Sequence, residues 1–259
     1  MPVHFSILLI EPPGIDSQLI NLMLAPENFH VSAAECGTEA WNLIQESEPP
    51  DLVVIDIDLP VSGQIRIGGN QLLQLLGKKS GWCDVPKIIL TTSQNSSIPK
   101  QLPVSQIEAI ILKPYDPRRF MEEIYGSLSK HLDRHIQEVN RQHIHLASLI
   151  QELSTLSSKA SEKNAFHQKL KAFLEFTSHH FAFEEKFMCQ HNYPDFSTHH
   201  QNHNQLLTET NTLVSEIVSG SRPIQPKTVD LLKRDFFDDV SDDERYITFL
   251  KKVRTDLMR

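Results

Sequence analysis

The chain has 259 residues, of which 39% are hydrophobic and 22% charged, and its formal net charge at pH 7 is −8. This length fits one large or two ordinary globular domains, and the composition excludes a disordered chain. The excess of negative charge disfavours a nucleic-acid backbone or an anionic membrane surface as a partner. No apolar run is long enough to span a bilayer, and the first residues lack the basic region of a signal peptide. Three scattered cysteines form no disulfide framework, so we expect a cytoplasmic protein.

Glycine and proline divide the chain into two parts. Eight of the nine glycines lie at or before Gly126, and twelve of the fifteen prolines lie at or before Pro117. Because both residues interrupt helices, the first part is predicted to hold short strands and loops, and the second long helices. We predict a boundary near residues 126–131, with one domain at residues 1–128 and the other at residues 131–259.

Four short apolar runs in the first part each end at a polar residue. The runs are Phe5–Ile10, Leu52–Ile55, Lys87–Leu90 and Ala109–Leu112, and the residues that follow them are Glu11, Asp56, Thr91 and Lys113. Helical patterns lie between the runs, and buried strands that alternate with helices predict an α/β domain with a parallel sheet. Since the sites of such sheets lie beyond the carboxyl ends of the strands, we expect these four polar residues to converge.

The segment PDLVVIDIDLP around Asp56, the hydroxyl of Thr91 and the dipeptide Lys113-Pro114 resemble the receiver domain of two-component response regulators. The resemblance implies a flavodoxin-like, doubly wound sheet of five parallel strands. It implies that Asp56 is the phospho-acceptor, Thr91 the switch hydroxyl and Lys113 the partner of the phosphoryl group. It also implies Mg²⁺-assisted transfer from a histidine kinase or phosphotransfer protein, and a receiver that can form a homodimer. The chemistry agrees, because a carboxylate nucleophile needs cations to neutralise the incoming charge.

Three features depart from the receiver pattern. The family places two acids after the first strand, whereas Glu11 is followed by Pro12, so the Mg²⁺ site is predicted to lack one carboxylate. The aromatic position three residues before the lysine holds Ile110, and residues 61–69 form an insertion. A degenerate receiver that only docks a partner is therefore an open alternative, which failure to accept phosphate from acetyl phosphate would favour.

In the second part, apolar residues recur at intervals of three and four, which predicts four helices with one buried seam each. Short connections favour an up-down-up-down, all-α bundle. Each seam also carries residues with metal-ligand chemistry: His143 on the first, His180 and Glu184 on the second, His199 and His203 on the third, and Asp239 and Asp243 on the fourth. Unpaired charges would be costly there, so we predict two bridged metal ions, with iron favoured and manganese as the alternative.

Three signatures in this part resemble those of hemerythrin. They are Gln142-His143 on the first helix, the run HFxxEExxM that begins at His180, and Tyr193-Pro194 followed by His199 and His203. The resemblance implies two non-heme irons bridged by carboxylates and an oxo group, with O₂ bound end-on at the open iron. It assigns His143 and His180 to one metal and His199 and His203 to the other, with Glu184 as a bridge.

The fourth helix departs from the hemerythrin pattern, in which a histidine is followed five residues later by a bridging aspartate. The apolar residues upstream place Asp239 at the histidine position, whereas those downstream place Asp243 at the bridging position, unless Glu244 takes that role. A carboxylate in place of an imidazole is expected to favour the ferric state and to weaken reversible O₂ binding. Four other histidines of this region, His145, His179, His191 and His200, lie off the seams and are expected at the surface.

Together the two parts indicate a signalling protein in which a receiver is coupled to a di-iron site that senses O₂, redox state or iron. The residues after Pro117–Leu128 contain no helix breaker, so one helix is expected to join the parts. Two other functions stay open: a di-metal oxidase, ferroxidase-like or peroxidase-like enzyme with a regulatory receiver, and an adaptor with a degenerate receiver. Turnover of Fe(II) or peroxide would distinguish the enzyme from the sensor. The sequence identifies neither the cognate kinase nor the output partner.

Overall fold

A computed structural model describes residues 4–27, 29–60, 67–92, 107–158 and 162–258. The chain divides into two compact units, one with Pro2–Asp133 and Arg254–Arg259 and the other with Arg134–Val253. Residues 61–66 of the predicted insertion lie outside the described residues. None of the helices within the described ranges is long and apolar enough to cross a bilayer.

The first unit contains a five-stranded parallel sheet. Its strands are β1 (Phe5–Ile10), β2 (Phe29–Ala34), β3 (Leu52–Asp56), β4 (Lys87–Thr91) and β5 (Ile107–Leu112), and their order is β2-β1-β3-β4-β5. Strands β3 and β4 are buried along their whole length, as expected for continuous apolar runs in the middle of a parallel sheet. This fold confirms the α/β class predicted for the first part.

Three helices of the first unit are α1 (Ile15–Leu24), α2 (Gly37–Glu46) and α3 (Gly69–Leu76). Side chains from α2, α3 and β1, β3 and β4 share one hydrophobic core. Helix α3 begins close to the end of β3, where a Cβ on Gly69 would lie 2.6 Å from the carbonyl oxygen of Ile57. Only glycine fits at that position, which lies beside the carboxyl edge of the sheet.

The second unit, residues 134–253, is built from four long helices, two of which extend beyond it. They are α4 (Pro117–Ser157), α5 (Lys163–Gln190), α6 (Phe196–Ser219) and α7 (Pro226–Leu257). Helix α4 has 41 residues and contains Gly126, so the predicted domain boundary falls within a helix. This confirms that one helix joins the two parts of the chain, because a single glycine weakens a helix without ending it.

The apolar core of the bundle lies on one side of the predicted ligands along each helix. It contains residues after His143 on α4, before His180 on α5, after His203 on α6 and before Asp239 on α7. That alternation of direction fits antiparallel neighbours joined by short connections. Gly220 directly follows the last residue of α6 and has a φ of 81°, a left-handed conformation that favours glycine.

Candidate metal centre and receiver site

The seven seam residues predicted as ligands lie together in the interior of the helical bundle. Helix α4 provides His143, α5 provides His180 and Glu184, α6 provides His199 and His203, and α7 provides Asp239 and Asp243. All seven are buried, and Glu184 and Asp243 are 0% exposed. The i,i+4 spacing on three of the helices puts both side chains of each pair on the same inward face.

The ligand atoms form two groups, in each of which they lie within 4.8 Å of one another. One group consists of His143, His180, Glu184 and Asp243, and the other of Glu184, His199, His203 and Asp243. Glu184 and Asp243 therefore belong to both groups. Oε2 of Glu184 lies 3.7 Å from Nε2 of His180 and 3.8 Å from Nε2 of His199, so this carboxylate is positioned between two imidazole pairs.

Asp243 directs one carboxylate oxygen to each group. Its Oδ2 lies 3.0 Å from Nε2 of His143, and its Oδ1 lies 3.3 Å from Nε2 of His199. A carboxylate in this orientation can bridge two cations, one on each oxygen. Glu244, the alternative bridging residue, is exposed and belongs to neither group.

Asp239 borders the cluster without belonging to either group. Its Oδ1 lies 3.3 Å from Nε2 of His203, and its Oδ2 lies 3.9 Å from Nε2 of His180. The upstream and the downstream apolar residues of α7 therefore fit one packed helix, because Asp239 and Asp243 are one helical turn apart and both face inward. Asp239 adds a third carboxylate to the wall of the cluster.

Charges within the cluster shift the pKa values of its members strongly. Burial, with the neighbouring imidazole of His143, lowers the pKa of His180 to about 3, so this ring is neutral and its nitrogen can act as a ligand. Burial, with the charge of Asp243, raises the pKa of Glu184 well above its ordinary value. Burial opposes protonation of His199, but the carboxylates of Asp243 and Glu184 outweigh it and raise its pKa to about 10. The carboxylates therefore draw positive charge into the cluster, which is the charge that a metal cation would supply.

Several buried polar atoms of the cluster make no hydrogen bond within the described part of the chain. They are Nε2 of His180, His199 and His203, both carboxylate oxygens of Glu184, and Oδ1 of Asp243. Buried polar groups in folded proteins almost always have partners, and these atoms point at one another. Neutral imidazole nitrogens mixed with carboxylate oxygens suit iron or manganese, so the residues present fit a bound metal.

Two side chains outside the predicted set orient the imidazoles. Nδ1 of His180 lies 3.0 Å from Oε1 of Gln142, and Nδ1 of His203 lies 2.8 Å from Oε1 of Glu185. These bonds place the hydrogen on Nδ1 and leave Nε2 facing the cluster. Gln142 in turn donates from Nε2 to Oε1 of Glu138 at 2.8 Å, which fixes its amide. Both residues lie next to predicted ligands in the chain, which is the signal that could have identified them.

Replacing Glu185 with alanine is expected to lower metal affinity by about 10- to 100-fold, because His203 loses the acceptor that fixes its tautomer. The measurement is a competition titration against a chromophoric chelator. Glu175→Ala is the matched control, since Glu175 lies on the same helix but is exposed, and its carboxylate lies 3.5 Å from Nζ of Lys171. Equal affinity of the Glu185 and Glu175 variants would contradict the role of Glu185.

One of the histidines expected at the surface is buried. His191 is 0% exposed, its Nδ1 lies 2.9 Å from the carbonyl oxygen of Phe187, and its ring stacks on the Phe187 ring. The prediction for this residue was wrong because His191 follows the last residue of α5, where helical periodicity no longer decides which side chains face inward.

The strand-end residues of the first unit lie at the carboxyl edge of the sheet. Nζ of Lys113 donates to Oε1 of Glu11 at 2.5 Å and to Oδ2 of Asp56 at 2.8 Å. Both carboxylates are buried, and the Lys113-Pro114 peptide bond is cis. Thr91 is also buried, and its hydroxyl lies 3.3 Å from Oδ2 of Asp58.

Two further acids lie at this edge, and neither is among the predicted site residues. Asp16, at the start of α1, has its Oδ2 3.3 Å from Nζ of Lys113, so a third carboxylate faces the ammonium group. Asp58 accepts hydrogen bonds from the backbone N–H and the hydroxyl of Thr92, which lower the pKa of its carboxyl. Burial raises the pKa of Glu11 to about 7, although Lys113 opposes that shift.

Both halves of the chain match known families. Residues 7–125 match the family model of the response regulator receiver domain, and residues 134–246 match that of the hemerythrin HHE cation binding domain. The chain therefore belongs to the proteins in which a response regulator receiver domain is fused to a hemerythrin domain. It is a signalling protein with a metal-binding domain.

Two relatives each match part of the chain. The chain is 24% identical over 168 residues to the response regulator Rre1 of Synechocystis. The matched region covers 64% of this chain and 69% of that protein. It is 29% identical over 121 residues to the probable transcriptional regulator ycf29 of Cyanophora paradoxa, which covers 46% of this chain and 53% of that protein.

Solved structures of receiver domains resemble about half of the chain. A receiver domain protein from Methanospirillum hungatei is 24% identical with a TM-score of 0.44, and the match covers 50% of this chain and 98% of that structure. The receiver domain of a sensor histidine kinase from Pseudomonas aeruginosa is 18% identical with a TM-score of 0.42, covering 48% and 98%.

Proposed function

We propose that the protein couples a phosphorylatable receiver to a non-heme di-iron centre that senses O₂, redox state or iron. The observation that carries the proposal is the sharing of Glu184 and Asp243 between two ligand groups. Single-ion sites do not need shared carboxylates, whereas a pair of ions close together does, because their mutual repulsion must be offset by negative charge between them.

In this centre, His143 and His180 would hold one iron, His199 and His203 the other, and Glu184 and Asp243 would bridge them. Asp239 would border the second iron through its position beside His203. When bound, the irons would supply O₂ binding and one-electron redox chemistry. Manganese is the alternative occupant, since it accepts the same mixture of nitrogen and oxygen ligands.

A cavity beside the cluster supports a small ligand such as O₂. Asp239 forms part of its wall together with mostly apolar side chains: Leu146, Phe173, Thr177, Phe181, Leu206, Thr210, Leu232, Asp235 and Phe236. An apolar wall excludes water and favours small uncharged ligands, while Asp239 and Asp235 provide the charged groups. The chain would thus offer O₂ a mostly apolar cavity next to the metals.

The receiver half supports phosphoryl transfer to Asp56. Lys113, 2.8 Å from the carboxylate of Asp56, can neutralise the charge of an incoming phosphoryl group. Glu11, with Asp16 in place of the acid missing at Pro12, can supply oxygen ligands for Mg²⁺. The partner would be a histidine kinase or phosphotransfer protein in the cytoplasm, and the receiver could pair with a second copy. Coupling to the metal site would be reciprocal in binding free energy.

A di-metal oxidase or peroxidase-like enzyme is the second candidate, and one observation favours it. Asp239 brings a third buried carboxylate to within 3.3 Å of a ligand imidazole, and a carboxylate-rich set stabilises oxidised irons. In this reading the receiver would regulate turnover.

Optical spectra of iron-loaded full-length protein test the proposal. The protein is reduced under nitrogen, then exposed to air and finally degassed. The sensor predicts oxo-bridge charge-transfer bands that appear in air and reverse when O₂ is removed. Bands that persist after degassing, with continued consumption of Fe(II) or peroxide, would favour the enzyme. Absence of any such band in protein that holds iron would contradict both.

A further inference from the structure

A buried tyrosine and a buried histidine share a hydrogen bond inside the helical bundle. The hydroxyl of Tyr246 on α7 lies 2.8 Å from Nε2 of His135 on α4, and both side chains are buried. The His135 ring stacks on Phe187 with ring centroids 3.6 Å apart and on Phe183 at 4.7 Å. Neither Tyr246 nor His135 belongs to the ligand groups described above.

Tyr246 is close to the candidate metal centre. It follows Asp243 by three residues, so the two side chains occupy the same face of α7. Burial, followed by the charges of Glu184 and Asp243, raises the pKa of Tyr246 well above its ordinary value. The phenol therefore keeps its proton near neutral pH unless an electron leaves with it.

A second aromatic side chain links Tyr246 to a predicted ligand. The ring centroid of Tyr193 lies 6.4 Å from that of His199 and 5.3 Å from that of Tyr246. Ring-to-ring steps this short are compatible with electron transfer through the protein interior. Tyr193 is itself buried, so both steps take place away from bulk water.

The partner of Tyr246 favours redox chemistry over a purely packing role. A buried tyrosine needs a hydrogen-bond acceptor, and any backbone carbonyl or side-chain amide would satisfy it. An imidazole differs from those groups because it can also take up a proton at neutral pH. Stacking on Phe183 and Phe187 holds the His135 ring in place for that transfer.

We propose that, once a peroxide has oxidised the metal centre, Tyr246 gives one electron to the centre and its hydroxyl proton passes to Nε2 of His135. The O–H bond of Tyr246 breaks and an N–H bond forms on His135. The phenol becomes a neutral phenoxyl radical, the imidazole becomes an imidazolium, and the centre gains the electron. Tyr246 would thus direct oxidising equivalents away from the ligand imidazoles. This inference rests on the proposed di-iron centre.

Rapid-freeze electron paramagnetic resonance on iron-loaded full-length protein mixed with hydrogen peroxide tests the relay. We expect a tyrosyl radical in the wild type, its loss in Tyr246→Phe, and its retention in the control Tyr125→Phe, which alters the receiver unit. In His135→Gln, which keeps a hydrogen-bonding group but not the proton acceptor, radical formation should slow by about tenfold or more. Iron content and far-UV circular dichroism are measured for every variant.

A variant that keeps Tyr246 as its single tyrosine, Tyr115→Phe/Tyr125→Phe/Tyr193→Phe, provides a test that does not require removal of Tyr246. The radical should persist in it. Three results would overturn the relay and leave the di-iron proposal intact. They are a tyrosyl radical that survives Tyr246→Phe, no tyrosyl radical in wild-type protein that holds two irons, and an unchanged rate of radical formation in His135→Gln. Failure of the wild type to bind iron would overturn both.

Discussion

Asp243→Asn is expected to lower the affinity of the protein for both of the proposed metal ions, by more than about 100-fold. Removing groups that merely orient ligands costs 10- to 100-fold, and Asp243 would contact the metals directly. Its two oxygens face His143 and His199, which belong to different ligand groups. One substitution should therefore empty both positions together, and metal analysis after dialysis against a chelator measures the loss.

The neighbouring acid provides a matched control. Glu244→Gln also removes one negative charge from α7, but Glu244 is exposed and lies outside both groups, so metal content should match that of the wild type. Asp239→Asn should have an intermediate effect, because Asp239 approaches His203 without joining either group. If Asp243→Asn retained one tightly bound ion, or if Glu244→Gln lost metal, the bridging assignment would be wrong.

Lys113→Met is expected to destabilise the receiver by about 3 kcal/mol, because it leaves the buried carboxylates of Glu11 and Asp56 without their common cation. Both tryptophans of the chain, Trp41 and Trp82, lie in this part of the sequence, so urea unfolding followed by tryptophan fluorescence reports on the receiver. Lys78→Met is the control: Lys78 is an exposed lysine of the same unit, and its loss should cost less than about 0.5 kcal/mol.

The effect of Lys113→Met should depend on pH. The pKa of Glu11 is about 7 even though Lys113 lowers it, so removing the lysine raises that pKa further. A carboxyl whose pKa is higher in the folded than in the unfolded state stabilises the fold when it binds its proton, and that stability is lost as pH rises through the folded-state value. The variant should therefore be least stable above about pH 7 and recover on acidification. A penalty independent of pH would contradict this account.

The spacing of apolar residues predicted much of the fold, because apolar side chains recur regularly along the buried strands and helices. The runs that became β1, β3 and β4 are buried or nearly so. The two edge strands are more open: β5 exposes Ile110 and Leu112, and β2 mixes exposed and half-buried residues and has no apolar run to reveal it. The seams of the bundle were predictable because intervals of three and four residues select one face of a helix.

The site was predictable where a ligand lies on a seam, and less so elsewhere. On α7 the apolar residues upstream and those downstream predicted inward faces that differ by one residue. Only the packed helix shows that Asp239 and Asp243 both face inward while Glu244 does not. Glu185 and Gln142 act through hydrogen bonds to ligand imidazoles, and the only sign of this in the sequence is that each lies next to a predicted ligand. Asp16 lies 97 positions before Lys113 in the chain but close to it at the sheet edge, and no local sequence pattern marks such a pair.

The most direct test of the shared carboxylates is Mössbauer spectroscopy on full-length protein loaded with ⁵⁷Fe, together with a count of iron per chain. The arrangement of Glu184 and Asp243 predicts two irons per chain that are antiferromagnetically coupled when oxidised, so that the ground state is diamagnetic. A single iron per chain, or two ferric ions that remain magnetically independent, would contradict a centre bridged by these two residues.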